Sequence, residues 1–449
     1  MSGPDRGTPP PPGERTSFRF PEFTRERLPN GLELVLAARH GVPLVEVLLQ
    51  LPAGSDRNPL ARPGLATLTG SLVDEGTAKR SGTAIAIAVE RLGGSLATRA
   101  DWNTAEIEVG MLARDLEPAL ELVAEIARTP SFPIPEVERL RRQALTELLR
   151  RRDQPPVLAE EALSRTLYAG SAYGFLLLGD EATMTDLRRE EVLEFHAGYY
   201  RPAEAALLLA GDFDPDAVRD RVAELFGPWR AAPPATPSPV RPVERRARPV
   251  VVVDRPEAAQ TELRLAHPAI PRRHPDRTRL GMLNALLGGK FTSRLNLNLR
   301  ERHGYTYGVT SRFVDRRGPG PFVVAAAVAN DVAGAAAREA LGEIARLRDE
   351  PVRSEELAET RDYMLGVFPY TLQTHADVLG RLAELTLWQL PDDHYERALA
   401  DVAATTPEHL LELARRHLRP EAAAVVAVGP AAALVPQLED LGEVEVVAP

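Results

Sequence analysis

Two periodicities run through the chain and mark out its elements. Ala105, Ile107, Val109 and Met111 alternate with Glu106 and Glu108, and Leu44–Leu51 is a similar run. A period of two is the mark of a strand with one covered face. Shorter apolar runs at Ala206–Gly211, Pro249–Asp254, Glu262–Ala266 and Ala423–Gly429 read as further strands. Between them the spacing predicts long helices over 136–152, 185–198, 332–349 and 354–366. Asp214 is a good N-cap, and Pro215 suits the first turn of a helix reaching Phe226. Strands and helices alternate, which predicts an α+β protein.

The order of elements repeats. Each half opens with an extended run and passes through a long helical stretch to a Gly-Gly pair, Gly93-Gly94 and then Gly288-Gly289. Each closes with an apolar strand, a loop and a helix, Asp216–Phe226 in the first half and Ala431–Leu441 in the second. Proline separates the parts. Five prolines fall in Met1–Arg15 and seven between Pro228 and Pro249, where Arg241, Arg245, Arg246 and Arg248 also sit. The expected map is a Pro-rich tail over 1–15, a domain over 16–229, a Pro/Arg-rich linker over 230–249 and a similar domain over 250–449.

Composition narrows the classes. Of 449 residues, 44% are hydrophobic and 26% charged, as in a globular protein. A net charge of −10 speaks against duplex nucleic acid as a partner. Cysteine is absent, which excludes disulfides, thiol catalysis and thiolate metal sites. The longest uncharged run, Ala422–Leu438, is 17 residues with two prolines, short of the ~20 that span a bilayer. With no apolar core near Met1, the expectation is a cytoplasmic chain that does not enter membranes.

Gly64–Thr77 reads GLATLTGSLVDEGT. Leu65, Leu68 and Leu72 share one helical face, and Thr67, Gly70, Ser71 and Asp74 the other. The Gly-Leu-Ala lead-in and Gly-Thr ending resemble the pitrilysin-type, or inverted-zincin, peptidases, which include insulin-degrading enzyme and the mitochondrial processing peptidase. In that family His-x-x-Glu-His stands between them: two His chelate zinc and the Glu activates a bound water. Here the three positions hold Thr67, Gly70 and Ser71, and no two of the nine His are four apart. Glu147, 76 positions after Ser71, matches the family's third ligand, but it also forms an i,i+4 surface pair with Arg151.

Leu283–Val309, LNALLGGKFTSRLNLNLRERHGYTYGV, resembles the family's C-terminal substrate-binding segment. The resemblance implies that Arg300 and Tyr307 bind a substrate backbone beside zinc. On the residues alone, Arg300 ends a helix that Gly304 stops, and Tyr305, Tyr307 and Val309 point one way along a strand. Two such donors suit a peptide carbonyl or the charge developing on it. Without the surrounding match, Arg300 would only complement the helix dipole and Tyr307 would be core. Softer matches at Leu28–Leu32, Leu208–Trp229 and Val426–Val447 extend the resemblance from about residue 20 to the end.

Other residues read more simply. Asp74-Glu75 is expected in a solvated turn, His267 and His274 on the surface, and Arg241–Arg248 in a solvated linker.

The resemblance implies two α/β-sandwich, roll-like domains facing each other in a half-clamshell subunit. It implies no metal in this chain, zinc in a homologous partner subunit and a heterodimer that cleaves extended peptide with Arg300 and Tyr307 supplied from here. A scaffold subunit of the same fold and an active peptidase with an unusual metal site are the alternatives.

Overall fold

The computed structural model describes residues 18–230, 239–244 and 247–449; the tail and part of the linker, including Arg245 and Arg246, lie outside them. The described residues form two six-stranded sheets. The first contains β1 (Thr24–Arg27), β2 (Glu33–Ala38), β3 (Leu44–Leu51), β4 (Ser95–Ala100), β5 (Ala105–Leu112) and β6 (Ala206–Gly211), in the order β1-β2-β6-β3-β5-β4. The second contains β7 (Val250–Asp254), β8 (Thr261–Pro268), β9 (Val309–Phe313), β10 (Pro321–Val328), β11 (Ala424–Gly429) and β12 (Val444–Val447), in the order β12-β7-β11-β8-β10-β9.

The internal repeat is visible strand by strand. β2 runs parallel to β6, as β7 does to β11. β6-β3-β5-β4 and β11-β8-β10-β9 are both antiparallel throughout. Only the outermost strand differs: β1 joins the first sheet antiparallel to β2, whereas β12 joins the second parallel to β7. The protein is thus α+β, with two similar α/β sandwiches.

Alternation decides which residues face which layer. On β6, Leu207 and Leu209 enter a core beneath the helices of their own half, together with Val45, Val47, Ile107 and Val109. Leu208 and Ala210 point to the opposite face. There they meet Val378, Leu379, Leu382 and Leu385 of the helix His375–Leu387, which comes from the other half. The second sheet mirrors this. Its Val251, Ala266, Val323 and Val426 are covered by Leu163, Leu167 and Tyr168 of the helix Pro155–Tyr168, from the first half. Each half therefore lends a helix to the other's sheet. A strand buried on both faces reads as a continuous apolar run, which is why β6 (ALLLAG) shows no alternation.

Some expected elements move. The helix expected over 185–198 is two, Glu181–Asp186 and Arg189–Tyr199. Leu187 is extended between them, and the backbone of Arg188 is capped by the Glu191 carboxylate. The closing helix ends at Leu438 rather than Leu441. Asp74 is not in a solvated turn: its carboxylate accepts from Thr98 Oγ1 at 2.9 Å, and burial raises its pKa. Arg248 leaves the linker to donate to the Pro420 carbonyl at 2.7 Å. His267 is buried, 1% exposed, not on the surface.

Candidate functional site

The helix Leu65–Leu72 starts at Gly64, whose φ of +93° only glycine adopts readily, and the Asn58 side chain accepts from the Ala66 N–H at 2.8 Å. Leu65, Leu68 and Leu72 are buried in the first core as their spacing predicts. The opposite face packs on the edge strand β4. At Gly70 the approach is so close that a Cβ would lie 2.8 Å from the Ala100 nitrogen and 2.9 Å from the Arg99 carbonyl carbon.

The flanking positions are equally committed. Thr67 Oγ1 donates to the Leu177 carbonyl at 2.6 Å, and Ser71 Oγ donates back to the Thr67 carbonyl at 3.1 Å. Glu147, on the helix Ile134–Arg151, accepts from Arg150 at 2.8 and 3.0 Å and from Arg151 at 3.1 Å. Those hydrogen bonds, Arg150's first, hold its carboxyl down at about 2. A zinc ion needs three good donors. Two hydroxyls turned to carbonyls, a glycine without room for a side chain and a doubly ion-paired carboxylate do not fit one.

Glu147 lines a cavity of about 630 Å³ between the halves, with Arg151, Trp102, Tyr168, Arg312 and Arg316. Arg316 stacks on the Trp102 ring at 4.2 Å, and burial lowers its pKa to about 10, so it stays cationic at neutral pH. Neither Arg300 nor Tyr307 lines this cavity.

Those two belong to a separate surface. The segment Asn296–Arg302 is a wide π-helical turn. It ends at Gly304, φ +65°, where the Tyr305 N–H reaches back to the Leu299 carbonyl at 2.8 Å. The strand expected to carry Tyr305 and Tyr307 starts only at Val309, where pairing with β10 begins. Before it, Thr306 Oγ1 donates to the Ala327 carbonyl at 2.7 Å and accepts from the Gly308 N–H, making a local turn. That turn leaves Tyr307 93% exposed, so it is not core. The Arg300 guanidinium lies 4.2 Å over the Phe291 ring, itself 70% exposed. Among the described residues Arg300 and Tyr307 make no hydrogen bond to each other, and the nearest carboxylate to Arg300 is that of its neighbour Glu301, an ion pair at 3.6 Å.

Among the described residues, one group elsewhere has metal-ligand chemistry. His274, Asp276 and His417 bring ligand atoms within 4.8 Å of one another. The Asp276 Oδ2 is already taken by His417 Nε2 at 2.7 Å and Arg416 at 2.9 Å, which together hold its carboxyl below the usual range against the opposing effect of burial. Sequence spacing gave no sign of this group, because His417 joins it from 141 positions away.

Comparison with known proteins follows the same division. A family model described as insulinase, peptidase family M16, matches residues 34–181, and one described as the peptidase M16 inactive domain matches 186–364. An uncharacterised zinc protease of Streptomyces coelicolor is 25% identical over 399 residues, 87% of this chain and 86% of that protein. An uncharacterised zinc protease of Bacillus subtilis, YmxG, is 22% identical over 86% of this chain and 93% of its own. A peptidase M16 inactive domain from Pseudomonas fluorescens superposes with a TM-score of 0.85 at 25% identity, over 91% of this chain and 98% of that one. A Helicobacter pylori protease shares the fold, with a TM-score of 0.87 at 19% identity, over 92% and 100%. With two models of one family covering most of its length, in the order its two sheets follow, the chain belongs to the M16, insulinase-type peptidase family.

Proposed function

We propose that this chain is the non-catalytic subunit of a two-chain zinc endopeptidase, binding extended peptide and presenting Arg300 and Tyr307 to the zinc site of a homologous partner. The observation that carries the reading is a contrast between two surfaces. The Leu65 helix is closed at Gly70, where a base would stand, while Tyr307 is 93% exposed and, among the described residues, Arg300 is held only by a 3.6 Å ion pair to the adjacent Glu301 and by the exposed Phe291 ring. A guanidinium and a phenol placed so are donors for a peptide carbonyl and for the oxyanion that forms when it is attacked. Edge strand β9 starts two residues after Tyr307 and offers backbone pairing to an extended peptide. Residues 16–229 would then form the zinc-less domain and 250–449 the donor domain. No helix among the described residues is long and apolar enough to cross a membrane.

Affinity capture from the native cells should recover a similar-sized chain carrying His-x-x-Glu-His. In the reconstituted pair, Arg300→Ala or Tyr307→Phe should lower kcat on a quenched-fluorescence peptide by ~10²–10³, the usual effect of removing an oxyanion donor. Unchanged kcat in both variants would remove the assigned role.

A further inference from the structure

A second cavity, of about 490 Å³, opens where the His375–Leu387 helix runs out over the end of the first sheet. Both halves line it: Arg25, Gln50 and Arg57 from one, Arg317 and Thr386 from the other. Its volume is in the range that holds small ligands.

The arginines around it are all ion-paired, but one buried guanidinium is not hydrogen-bonded. Arg317 Nε donates to Asp56 Oδ2 at 2.9 Å. Arg201 Nη2 donates to Glu204 at 2.9 Å. Arg25 bonds Glu33 and lies 3.2 Å from Asp392, and Arg27 is 3.7 Å from Glu33. Arg57 is different: it is 7% exposed and forms an ion pair with Asp56, but at 3.8 Å from Asp56 Oδ1 its buried Nε is beyond hydrogen-bond reach and has no hydrogen-bond partner. Thr386, 9% exposed, likewise lines the cavity with a buried hydroxyl that has no partner.

Buried arginines ordinarily have their donors hydrogen-bonded, because a buried polar group left without a partner is costly. A planar fork of donors beside a free hydroxyl matches one ligand chemistry, an oxyanion. We propose that this cavity binds a small oxyanion, a carboxylate or phosphate, with Arg57 as its main ligand and Thr386 as a second donor. The inference stands apart from the peptide-binding reading, since neither Arg300 nor Tyr307 lines the cavity. Because both halves line it, the bound anion ties them together.

The test is the melting temperature of the full chain titrated with inorganic phosphate or with citrate, against chloride at equal ionic strength. One or both anions should raise Tm saturably at millimolar concentration, and whichever acts more strongly identifies phosphate or carboxylate as the source. Arg57→Met should shift the anion response to at least tenfold higher concentration. Removing a merely structural arginine would change Tm equally with and without the anion. Thr386→Val should weaken the response severalfold, and it carries the test if Arg57→Met does not fold. The proposal is overturned if neither anion acts beyond chloride, or if the response survives in both variants.

Discussion

A glycine inside a helix normally weakens it, and replacing it by alanine normally helps. Gly70 and Gly342 are both helix-interior glycines, in Leu65–Leu72 and Ala333–Asp349, yet they should respond with opposite signs. At Gly342 a Cβ would meet nothing within 4 Å, so Gly342→Ala keeps the full propensity gain of ~0.8–1 kcal/mol. At Gly70 the same gain competes with overlap against the β4 backbone, 2.8 Å from one atom and 2.9 Å from another. Backbone in a paired strand cannot swing aside as a side chain can, so the overlap falls in the ~1–3 kcal/mol range of overpacked cores. The net effect of Gly70→Ala is then a loss of up to ~2 kcal/mol. At ~2.1 cal/mol/K per residue, each kcal/mol moves the Tm of a cooperative 449-residue unit by only ~1 °C. Scanning calorimetry must therefore resolve about one degree, with Tm rising for Gly342→Ala and falling for Gly70→Ala. A Gly70→Ala protein as stable as the parent would refute the argument that this helix is closed. The same geometry predicts that Thr67→His, Gly70→Glu and Ser71→His together will not rebuild a zinc peptidase here, because a glutamate needs more room at 70 than alanine does.

Three further outcomes follow from the packing and the titrating groups. Leu382→Ala removes a fully buried side chain from the lent helix and should cost ~2–5 kcal/mol, with both halves melting earlier in a single transition. Its counterpart Leu167→Ala, on the other lent helix, should lower the same transition; separate transitions for the two halves would contradict the exchange. Burial lowers the pKa of His267 to about 4, and its Nε2 accepts the Arg419 N–H at 3.3 Å while Nδ1 lies 2.9 Å from the Pro268 carbonyl. The unfolded chain binds this proton near pH 6.5 and the folded one only near 4, so stability is intact above ~6.5 and declines as pH falls between those values. Urea midpoints should show His267→Gln losing roughly 3 kcal/mol less than the parent between pH 7 and 4; parallel pH profiles would refute this.

Much of the fold was legible because apolar pattern follows layer geometry. β3 and β6 lie where the extended runs placed them, and β5 differs by one residue. The repeat was visible in element order alone. What the pattern could not show was which sheet a helix covers. The apolar stripe of Val378, Leu379, Leu382 and Leu385 predicts a buried face, but not one in the other half. At the site, the loss of zinc ligands was plain from Thr67, Gly70 and Ser71, whereas the steric closure at Gly70 depends on β4, some thirty positions on. The displaced start of β9 was missed because a Thr306 hydroxyl competes for the backbone bonds that alternation assumes. Arg57 had no sequence signal, since only the arrangement of its neighbours leaves its buried Nε without a hydrogen bond.

The lent helices also set an order of events during synthesis. The last strand of the first sheet is complete at Gly211, but the helix that covers its second face begins only at His375, about 160 residues later. At ~5–20 residues per second a ribosome needs roughly 8–30 s to cover that distance. Throughout that interval Val35, Ala37, Leu48, Leu208 and Ala210 form a bare apolar surface on an otherwise finished sheet. Nascent chains of this protein should therefore be recognised by holding chaperones within that window of lengths and released once the His375 helix has emerged.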